Sequence, residues 1–319
     1  MHVSERFGLG IQGHKDICFI DVDEKRDARL YIDPYVIQAL PDEFCIEARK
    51  RIESFFHEVF LACRDVDKAQ LRSLLAYASE PNETNLGMKT ISDYGKGNTP
   101  QKLMPLFLNF YRLVRQNPSL ASDPLVMCMY IKRFAEDGMS DLITNIIRDL
   151  LHTFTENQCR YWNIPLERDS RVIGCYWDYR ELKWKSLVGR GLSSGGYRVL
   201  LVPKIVVRSR YVFGIECYIR QYILKAQQEE HIQNVSPLCT VKELSDGRKV
   251  IVPPTRDELY KIEVHGTDHK EYALSYSAAN IRDETLFVKD ILKRINEGYG
   301  SLTNAQLDRI VYKKDTLIA

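Results

Sequence analysis

One face of the helix predicted over residues 139–160 carries side chains that could do chemistry together. At steps of three and four residues it presents Asp141, Asn145, Arg148, His152, Glu156 and Cys159. Residues at this spacing share one side of an α-helix, so a carboxylate, an amide, a guanidinium, an imidazole and a thiol are predicted to form a row. The opposite face, which includes Leu142 and Phe154, is apolar, as expected for a stripe that faces the core. The row is either a chemical site or an ordinary solvated face.

A second candidate is the sequence Glu181-Leu182-Lys183, which is spaced like half of a metal-dependent nuclease site. In a strand, residues i and i+2 point to the same face, so the carboxylate could hold a divalent cation, Mg²⁺ or Mn²⁺, while the ammonium polarises the attacked phosphate. An upstream acid must complete the cation site, and Asp141 is the candidate, with Glu156 as an alternative. The sequence therefore predicts Asp141 and Glu181 as metal ligands. The alternative is an exposed alternating strand.

A related hypothesis uses the helix row without a metal. Arg148 and His152 lie one turn apart, so the arginine could bind a phosphate while the histidine transfers a proton. This pairing is similar to that of HEPN-type ribonucleases, although the three residues between Arg148 and His152 fall short of the longer spacing in that family. Both residues are predicted to assist catalysis.

Positive charge is concentrated between Arg171 and Lys225. This segment holds eleven Lys and Arg residues against three Asp and Glu, whereas the whole chain has a net charge of only +2. Basic side chains neutralise phosphates and aromatic rings stack on unpaired bases, so the mixture predicts a nucleic-acid groove. The predicted contacts are Trp184, Lys185, Arg190, Arg198, Lys204, Arg208 and Arg210, together with Lys96. The alternative is a solvated sheet face whose aromatic residues lie in the core.

Lys96 belongs to a polar, glycine-containing segment over residues 79–100, which is long for an ordinary connection. Its end, Gly95-Lys96-Gly97-Asn98-Thr99-Pro100, precedes a predicted helix that Thr99 can cap and Pro100 can begin. Free N–H groups near two glycines and a lysine suit an anion. The alternative is a flexible helix entry. The segment lacks the Walker A pattern, so no ATPase is predicted.

Periodicity predicts a mixed α+β fold. The N-terminal half is predicted to be mostly helical after a short β-hairpin of residues 17–22 and 28–32. A basic, β-richer C-terminal half is predicted to be closed by helices. The two predicted regions are 1–165 and 166–319, and the alternative is one continuous domain. The predicted helices span 42–59, 68–78, 101–116, 124–136, 139–160, 214–228, 284–297 and 303–311. The predicted strands span 171–184 and 197–208, followed by a hairpin over 241–252.

Composition limits the class of protein. Of the 319 residues, 45% are hydrophobic and 28% are charged, which is typical of a globular chain. No apolar run has the length of a membrane helix, and the first residues lack the order of a signal peptide. The eight cysteines are dispersed without a C-x-x-C pair, so they are expected to be reduced. A soluble, cytoplasmic protein without a membrane partner is predicted.

Four short segments resemble a bacterial protein family associated with mobile elements and defence loci. They are LYIDP (Leu30–Pro34), GKGN (Gly95–Asn98), SDLITNII (Ser140–Ile147) and LLVPK (Leu200–Lys204), and EPNETNLG (Glu80–Gly87) accompanies them. The resemblance implies that a site is to be sought in these segments. It also implies a role in conflict with phages or plasmids.

Taken together, the patterns predict a protein that acts on DNA or RNA, as a metal-dependent nuclease or a nuclease-like subunit in antiphage or mobile-element conflict. The alternative is a non-catalytic sensor or adaptor, which would recognise a protein partner encoded nearby. A regulator that binds nucleic acid without cleaving it is a third hypothesis, for which the chain offers no helix-turn-helix pattern.

Overall fold

Helices dominate the first half of the chain and small antiparallel sheets the second, in a computed structural model that describes residues 1–87, 98–114, 129–131, 136–211 and 214–312. The mixed α+β class is confirmed. The helices of the first half are α1 (Val3–Arg6), α2 (Pro34–Ala39), α3 (Glu43–Arg64), α4 (Lys68–Leu74), α5 (Pro100–Val114), α6 (Glu136–Ile146) and α7 (Arg148–Tyr161). Most of the helix predicted over 124–136 lies outside the described residues, as does Lys96.

Helix α3 shows why the helical predictions succeed. The Asp42 side chain accepts a hydrogen bond from the Phe44 backbone N–H at 2.9 Å and so caps the first turn. Ile52, Phe55 and Val59, at helical spacing, are all buried. The sequence signals at the start and along the inner face therefore agree with each other.

The N-terminal hairpin prediction is wrong in its pairing. Only Tyr31–Ile32 forms a strand, β1, and it pairs antiparallel with β6 (Val207–Arg208). Phe19, from the other predicted strand, makes a single bridge to Pro203 instead. Both apolar segments thus pair with residues in the second half of the chain. Alternation of apolar and polar residues does not predict such distant pairing partners, because strand formation depends on tertiary context.

The helix predicted over 139–160 is two helices, because Ile147 leaves the α conformation (φ −98°, ψ 17°) between α6 and α7. Its apolar stripe faces the core, as predicted: Leu142 is fully buried, and Phe154 is partly buried and packs against the core. Part of its polar row is buried as well: Asn145, Arg148 and His152 are each less than one tenth exposed. The row faces protein at these positions, so the solvated-face alternative is wrong there.

A β-hairpin covers that row. It consists of β2 (Arg171–Asp178) and β3 (Lys183–Gly189), paired antiparallel with Trp177 opposite Trp184. Both tryptophan rings meet the Phe55 ring edge-on, at centroid distances of 5.2 and 5.6 Å. Aromatic residues of the basic segment thus pack in the core against α3.

The rest of the second half combines short strands with helices. The strands are β4 (Leu192–Ser194) and β5 (Tyr197–Val199), then β6, and finally the isolated hairpin β7 (Thr240–Glu243) and β8 (Lys249–Val252). The helices are α8 (Ile215–Tyr218), which continues through a π-helical stretch into α9 (Leu224–Gln233), then α10 (Arg256–Leu259), α11 (His269–Ala279), α12 (Ile281–Asn296) and α13 (Asn304–Val311). The predicted division at residue 165 stays a prediction.

Among the helices that the structure describes, none combines the length and the apolar character needed to cross a bilayer.

Candidate functional site

Four carboxylates from three separate segments lie close together around the start of α6. They are Asp27, Glu80, Asp137 and Asp141, and we call them the acidic cluster. Burial, followed by the charges of Asp137, Glu80 and Asp27, raises the pKa of Asp141 to about 8. A carboxyl group with this pKa keeps its proton at neutral pH, a property more common at functional sites than elsewhere.

Close backbone approach at two glycines allows this convergence. Gly87 has a φ of +115°, and a Cβ placed there would lie 2.6 Å from Asp137 Oδ1. A Cβ on Gly138 would lie 2.5 Å from Asn98 Nδ2. A parallel bridge between Ala28 and Leu86 joins the remaining segment to the same place. Glu80, at the start of EPNETNLG, and Asp141, in SDLITNII, therefore meet around the acidic cluster.

A cavity of about 720 Å³ adjoins the cluster and shares Asp27 with it. Its lining residues are His2, Asp23, Arg26, Asp27, Ala28, Arg29, Tyr31, Glu136, Ser209, Arg210, Ile310 and Val311. Burial and the charges of Asp137 and Glu136 raise the pKa of Tyr31, which shows how near this wall is to the carboxylates. The volume lies within the range of small-molecule sites.

The charged groups of the cavity wall differ in whether the protein engages them. Glu136 Oε1 accepts a hydrogen bond from the Tyr211 backbone N–H at 3.0 Å, and Asp23 Oδ1 accepts one from Lys25 at 2.8 Å. Arg29 and Arg210 are exposed and make no hydrogen bond or ion pair within the described residues. Of the predicted nucleic-acid contacts, Arg210 is therefore a cation that is available to a ligand beside the acidic cluster.

Arg148 and His152 occupy a different environment. Arg148 packs over Gly174 of β2, donates a hydrogen bond to the Asn145 side chain and lies 3.2 Å from Glu83 Oε1. His152 lies against Gly189 of β3. Arg148 is therefore buried where α7, the hairpin and the 80–87 segment meet, although its Nε has no hydrogen-bond partner among the described residues.

His152 lies 3.5 Å from Glu156 Oε1, and its pKa is lowered, chiefly by burial. Burial likewise raises the pKa of the Cys159 thiol to about 11. A neutral, covered imidazole and a protonated thiol have little access to a polymer substrate. This half of the predicted row is therefore placed to pack against the hairpin.

The Glu181-Leu182-Lys183 sequence forms the turn between β2 and β3, and Leu182 adopts a φ of +51°. Glu181 is exposed, pairs with Lys183 at 2.7 Å and also contacts Lys185. Lys185 Nζ in turn lies 2.7 Å from Asp178 Oδ2. Neighbouring lysines thus lower the pKa of Glu181, whereas burial and neighbouring carboxylates raise the pKa of Asp141.

Several other predicted nucleic-acid contacts have partners inside the protein. Trp184 Nε1 donates to the Leu74 carbonyl at 2.8 Å, and Arg198 donates to the Val172 carbonyl at 2.9 Å. Lys204 Nζ donates to Asn304 Oδ1 at 3.0 Å. The most enclosed is Arg208, which is 4% exposed and donates to backbone carbonyls.

Arg190 is exposed and donates to the Glu167 carbonyl at 2.6 Å. Charge counting along the sequence could not separate these engaged cations from Arg210. The separation requires the hydrogen-bond partners of each group, which come from distant parts of the chain.

Sequence periodicity missed three members of the acidic cluster: Asp27, Glu80 and Asp137. A signal for them was present, since Asp27 precedes LYIDP, Glu80 opens EPNETNLG, and Asp137 precedes SDLITNII. Acids that flank the segments of the resemblance could have been grouped together. Their proximity itself depends on the tertiary fold.

A metal centre was predicted at Asp141 and Glu181. Within the residues that the structure describes, no group of three or more His, Cys, Asp and Glu side chains has the spacing of a metal centre. The acidic cluster has the oxygen donors that Mg²⁺ and Mn²⁺ prefer, but its side chains are not arranged as such a group. The predicted divalent cation stays a prediction.

The fold and the site define a mixed α+β protein with an acidic cluster beside an arginine-bearing cavity. Residues 8–213 match the family described as Domain of unknown function (DUF8370), and since this is more than half of the chain, the protein belongs to that family. The match contains the acidic cluster, Arg29 and Arg210, whereas Ile310 and Val311 of the cavity wall lie beyond it. No curated protein and no solved structure matches the chain.

Proposed function

We propose that the protein is a nuclease or nuclease-like hydrolase whose chemistry takes place at Asp141. The observation that carries this proposal is the burial of Asp141 next to Asp137, Glu80 and Asp27, which raises the pKa of Asp141 to about 8. One protonated carboxyl group among ionised ones supplies both an acid and a base at neutral pH. Hydrolysis of a phosphodiester needs both.

The chemistry follows from those two forms. The Asp141 carboxyl donates its proton to the leaving oxygen as the P–O bond breaks, and a water molecule adds its hydroxyl to phosphorus. A neighbouring carboxylate of the acidic cluster takes the proton that this water releases. Glu181 and Lys183 lie outside this site, because they pair with each other on an exposed turn.

Arg29 and Arg210 support phosphate as the group that is attacked. Guanidinium groups bind phosphate oxygens through charge-assisted hydrogen bonds. These two are exposed, lie on the wall that contains Asp27, and have no competing partner within the described residues. Antiphage defence and a cytoplasmic location, which rest on the resemblance and on composition, stay predictions.

The test is a cleavage assay on end-labelled single- and double-stranded DNA and RNA, with Mg²⁺, Mn²⁺ or EDTA. We expect Asp141→Asn to lower the cleavage rate by about 10²- to 10⁴-fold, the usual contribution of a general acid, without weakening substrate binding. Glu181→Gln is the matched control, since it likewise replaces one acidic side chain by its amide, and it should cleave within about twofold of the unmodified protein.

Two results would count against this site. If Glu181→Gln abolishes cleavage and Asp141→Asn does not, the chemistry belongs to the hairpin turn. If all four substrates remain intact under every condition, the protein is not a nuclease. Loss of cleavage in EDTA, restored by Mg²⁺ or Mn²⁺, would confirm the predicted cation.

A second candidate function is the sensor or adaptor, and the β7–β8 hairpin favours it. Every residue of both strands is exposed, including Val241 at 66% and Val250 at 41%. An isolated two-stranded hairpin is marginal in water, and exposed apolar residues of this kind are common at protein interfaces. If intact substrates are recovered throughout, Val241→Ser with Val250→Ser should reduce binding of a protein encoded nearby, measured with both purified proteins.

A further inference from the structure

The cavity beside the acidic cluster presents three kinds of chemistry at once. It has guanidinium groups at Arg29 and Arg210 that are unpaired within the described part of the chain, carboxylates at Asp27 and Glu136, and an apolar wall that includes Ile310. From this combination we infer that the cavity binds a nucleoside monophosphate. The role of this nucleotide as the end of a cleaved strand rests on the proposed function. Nucleotide binding itself is measured without cleavage.

The phosphate is assigned to Arg29 and Arg210. The other charged side chains of the lining, among them Glu136 and Asp23, are held by the protein. A ligand that enters the cavity therefore meets two guanidinium groups that make no hydrogen bond or ion pair within the described residues. A dianionic phosphate monoester satisfies two guanidinium groups better than a neutral ligand does.

The sugar is assigned to the carboxylates. Asp27 and Glu136 cannot attract the phosphate, but carboxylate oxygens accept hydrogen bonds from ribose hydroxyls, as they do in dinucleotide-binding folds. Carboxylates and arginines on one cavity wall are thus explained together by a ligand that has hydroxyls and a phosphate. Inorganic phosphate alone would use only the arginines.

The base is assigned to the apolar part of the wall. Ile310 and Val311, from helix α13, and the ring of Tyr31, from β1, supply the surface on which a flat base can pack. Three described tertiary contacts hold α13 there. They are Asp308 to His14, Asn304 to Lys204, and Tyr312 to Asp21.

The size of the cavity sets the class of ligand. At about 720 Å³ it lies inside the range of roughly 300–1,000 Å³ that small-molecule sites span. A single nucleotide fits this space, whereas a double helix, whose major groove alone is about 12 Å wide, needs an open groove. A strand must therefore enter by its end or as a flipped nucleotide.

The inference is tested by isothermal titration calorimetry with AMP, GMP, CMP and UMP as separate ligands. Inorganic phosphate, adenosine and deoxy-AMP complete the series. We expect at least one nucleotide to bind, and at least tenfold more tightly than both inorganic phosphate and adenosine. Deoxy-AMP reports whether the 2′-hydroxyl is recognised.

Arg29→Gln and Arg210→Gln should each weaken the nucleotide by about tenfold, because each removes one charge-assisted bond to the phosphate. Both side chains are exposed and make no hydrogen bond or ion pair with another described residue, so the variants should retain the melting temperature. Arg248→Gln is the control, since that arginine lies on the β7–β8 turn, away from the cavity lining, and it should bind like the unmodified protein.

Nucleotide binding that is equal in all three variants, or absent in the unmodified protein, would overturn the inference. Binding of inorganic phosphate as tight as that of every nucleotide would reduce the site to an anion site and also overturn it. The proposed function fails separately: a protein that binds nucleotides but cleaves no substrate has the ligand site without the nuclease activity.

Discussion

The imidazole of His14 is fully buried and its Nδ1 lies 2.7 Å from Asp308 Oδ1, which joins two residues 294 positions apart in the chain. The same ring accepts a hydrogen bond at Nε2 from the Asp21 backbone N–H at 3.2 Å. One nitrogen must therefore donate and the other accept, which requires the neutral ring. Through this contact the N-terminal segment holds helix α13, one wall of the cavity.

The fold should lose stability as the pH falls below about 6.5. Burial lowers the pKa of His14 below its ordinary value of 6.5, so the unfolded chain binds a proton there before the folded protein does. The stability linked to this histidine is fully present above pH 6.5 and is lost as the pH falls toward the folded-state pKa. We expect His14→Asn to flatten the fall in unfolding free energy between pH 7.5 and 5.5, measured by urea denaturation.

The control for this measurement is His57→Asn, since His57 is exposed on α3 and its removal should leave the pH profile unchanged. An identical profile for His14→Asn and the unmodified protein would show that the buried histidine is not the titrating group. His152, whose pKa is also lowered by burial, would then be the next candidate.

Asp141→Asn should make the protein more stable while it lowers cleavage. The pKa of Asp141 in the folded protein is about 8, above the ordinary value of 3.8. The contribution of this group to the free energy of unfolding is therefore fully present below pH 3.8 and is lost as the pH rises toward 8. An amide has the same shape and no charge to bury. We expect a gain of about 1–2 kcal/mol at pH 8, with a smaller gain at pH 5, measured by thermal unfolding.

Asp149→Asn is the matched control, and its change in the free energy of unfolding should have the opposite sign. Asp149 lies on α7 and pairs with Arg51 at 2.8 Å, so its neutralisation should lower stability. If Asp141→Asn is as destabilising as Asp149→Asn, then Asp141 is an ionised, paired carboxylate with a structural role, contrary to this prediction.

Gly87→Ala should destabilise the protein more than Gly196→Ala does. Both glycines have a positive φ, +115° and +86°, so both variants carry backbone strain of about 1–3 kcal/mol. Only at Gly87 would the new Cβ lie within 2.6 Å of Asp137 Oδ1, whereas Gly196 has open space. The difference between the two unfolding free energies isolates the displacement of Asp137.

Cleavage should follow the same order, because only Gly87→Ala moves a member of the acidic cluster. Equal activity in the two variants, at equal folded fraction, would place Asp137 outside the active site.

Arg148→Ala should lower the stability of the protein, because Arg148 has a structural role. Arg148 is 5% exposed and its removal leaves Glu83, 3.2 Å away, without that charge partner, and opens space under Gly174. Breaking a buried pair costs about 3–5 kcal/mol, and urea denaturation measures it. Arg160→Ala, on the exposed side of α7, should change stability by less than about 0.5 kcal/mol. An Arg148→Ala protein of unchanged stability that no longer cleaves would restore the catalytic interpretation.

Local signals in the sequence determined most of the elements. Asp42 and Thr303 cap α3 and α13 by accepting hydrogen bonds from backbone N–H groups in the first turn. Such caps can be predicted from the sequence alone, because they involve neighbours in the chain. The hairpin that turns at Asp246 and Gly247 is confirmed for the same reason, since its two strands are adjacent. Periodicity likewise assigned the buried face of α6 and α7.

Only the tertiary structure decided what the polar residues do. Arg148 and Arg210 are the same residue type, yet one is enclosed by Glu83 and Gly174 and the other faces a cavity. The pKa of Asp141 likewise depends on Asp27 and Glu80, which are far from it in the chain. Hydrophobic periodicity reports whether a residue faces inward, but the free energy of a charge depends on every group within a few ångströms. Those neighbours are set by chain folding, so the sequence indicated where to look and the fold selected the residues.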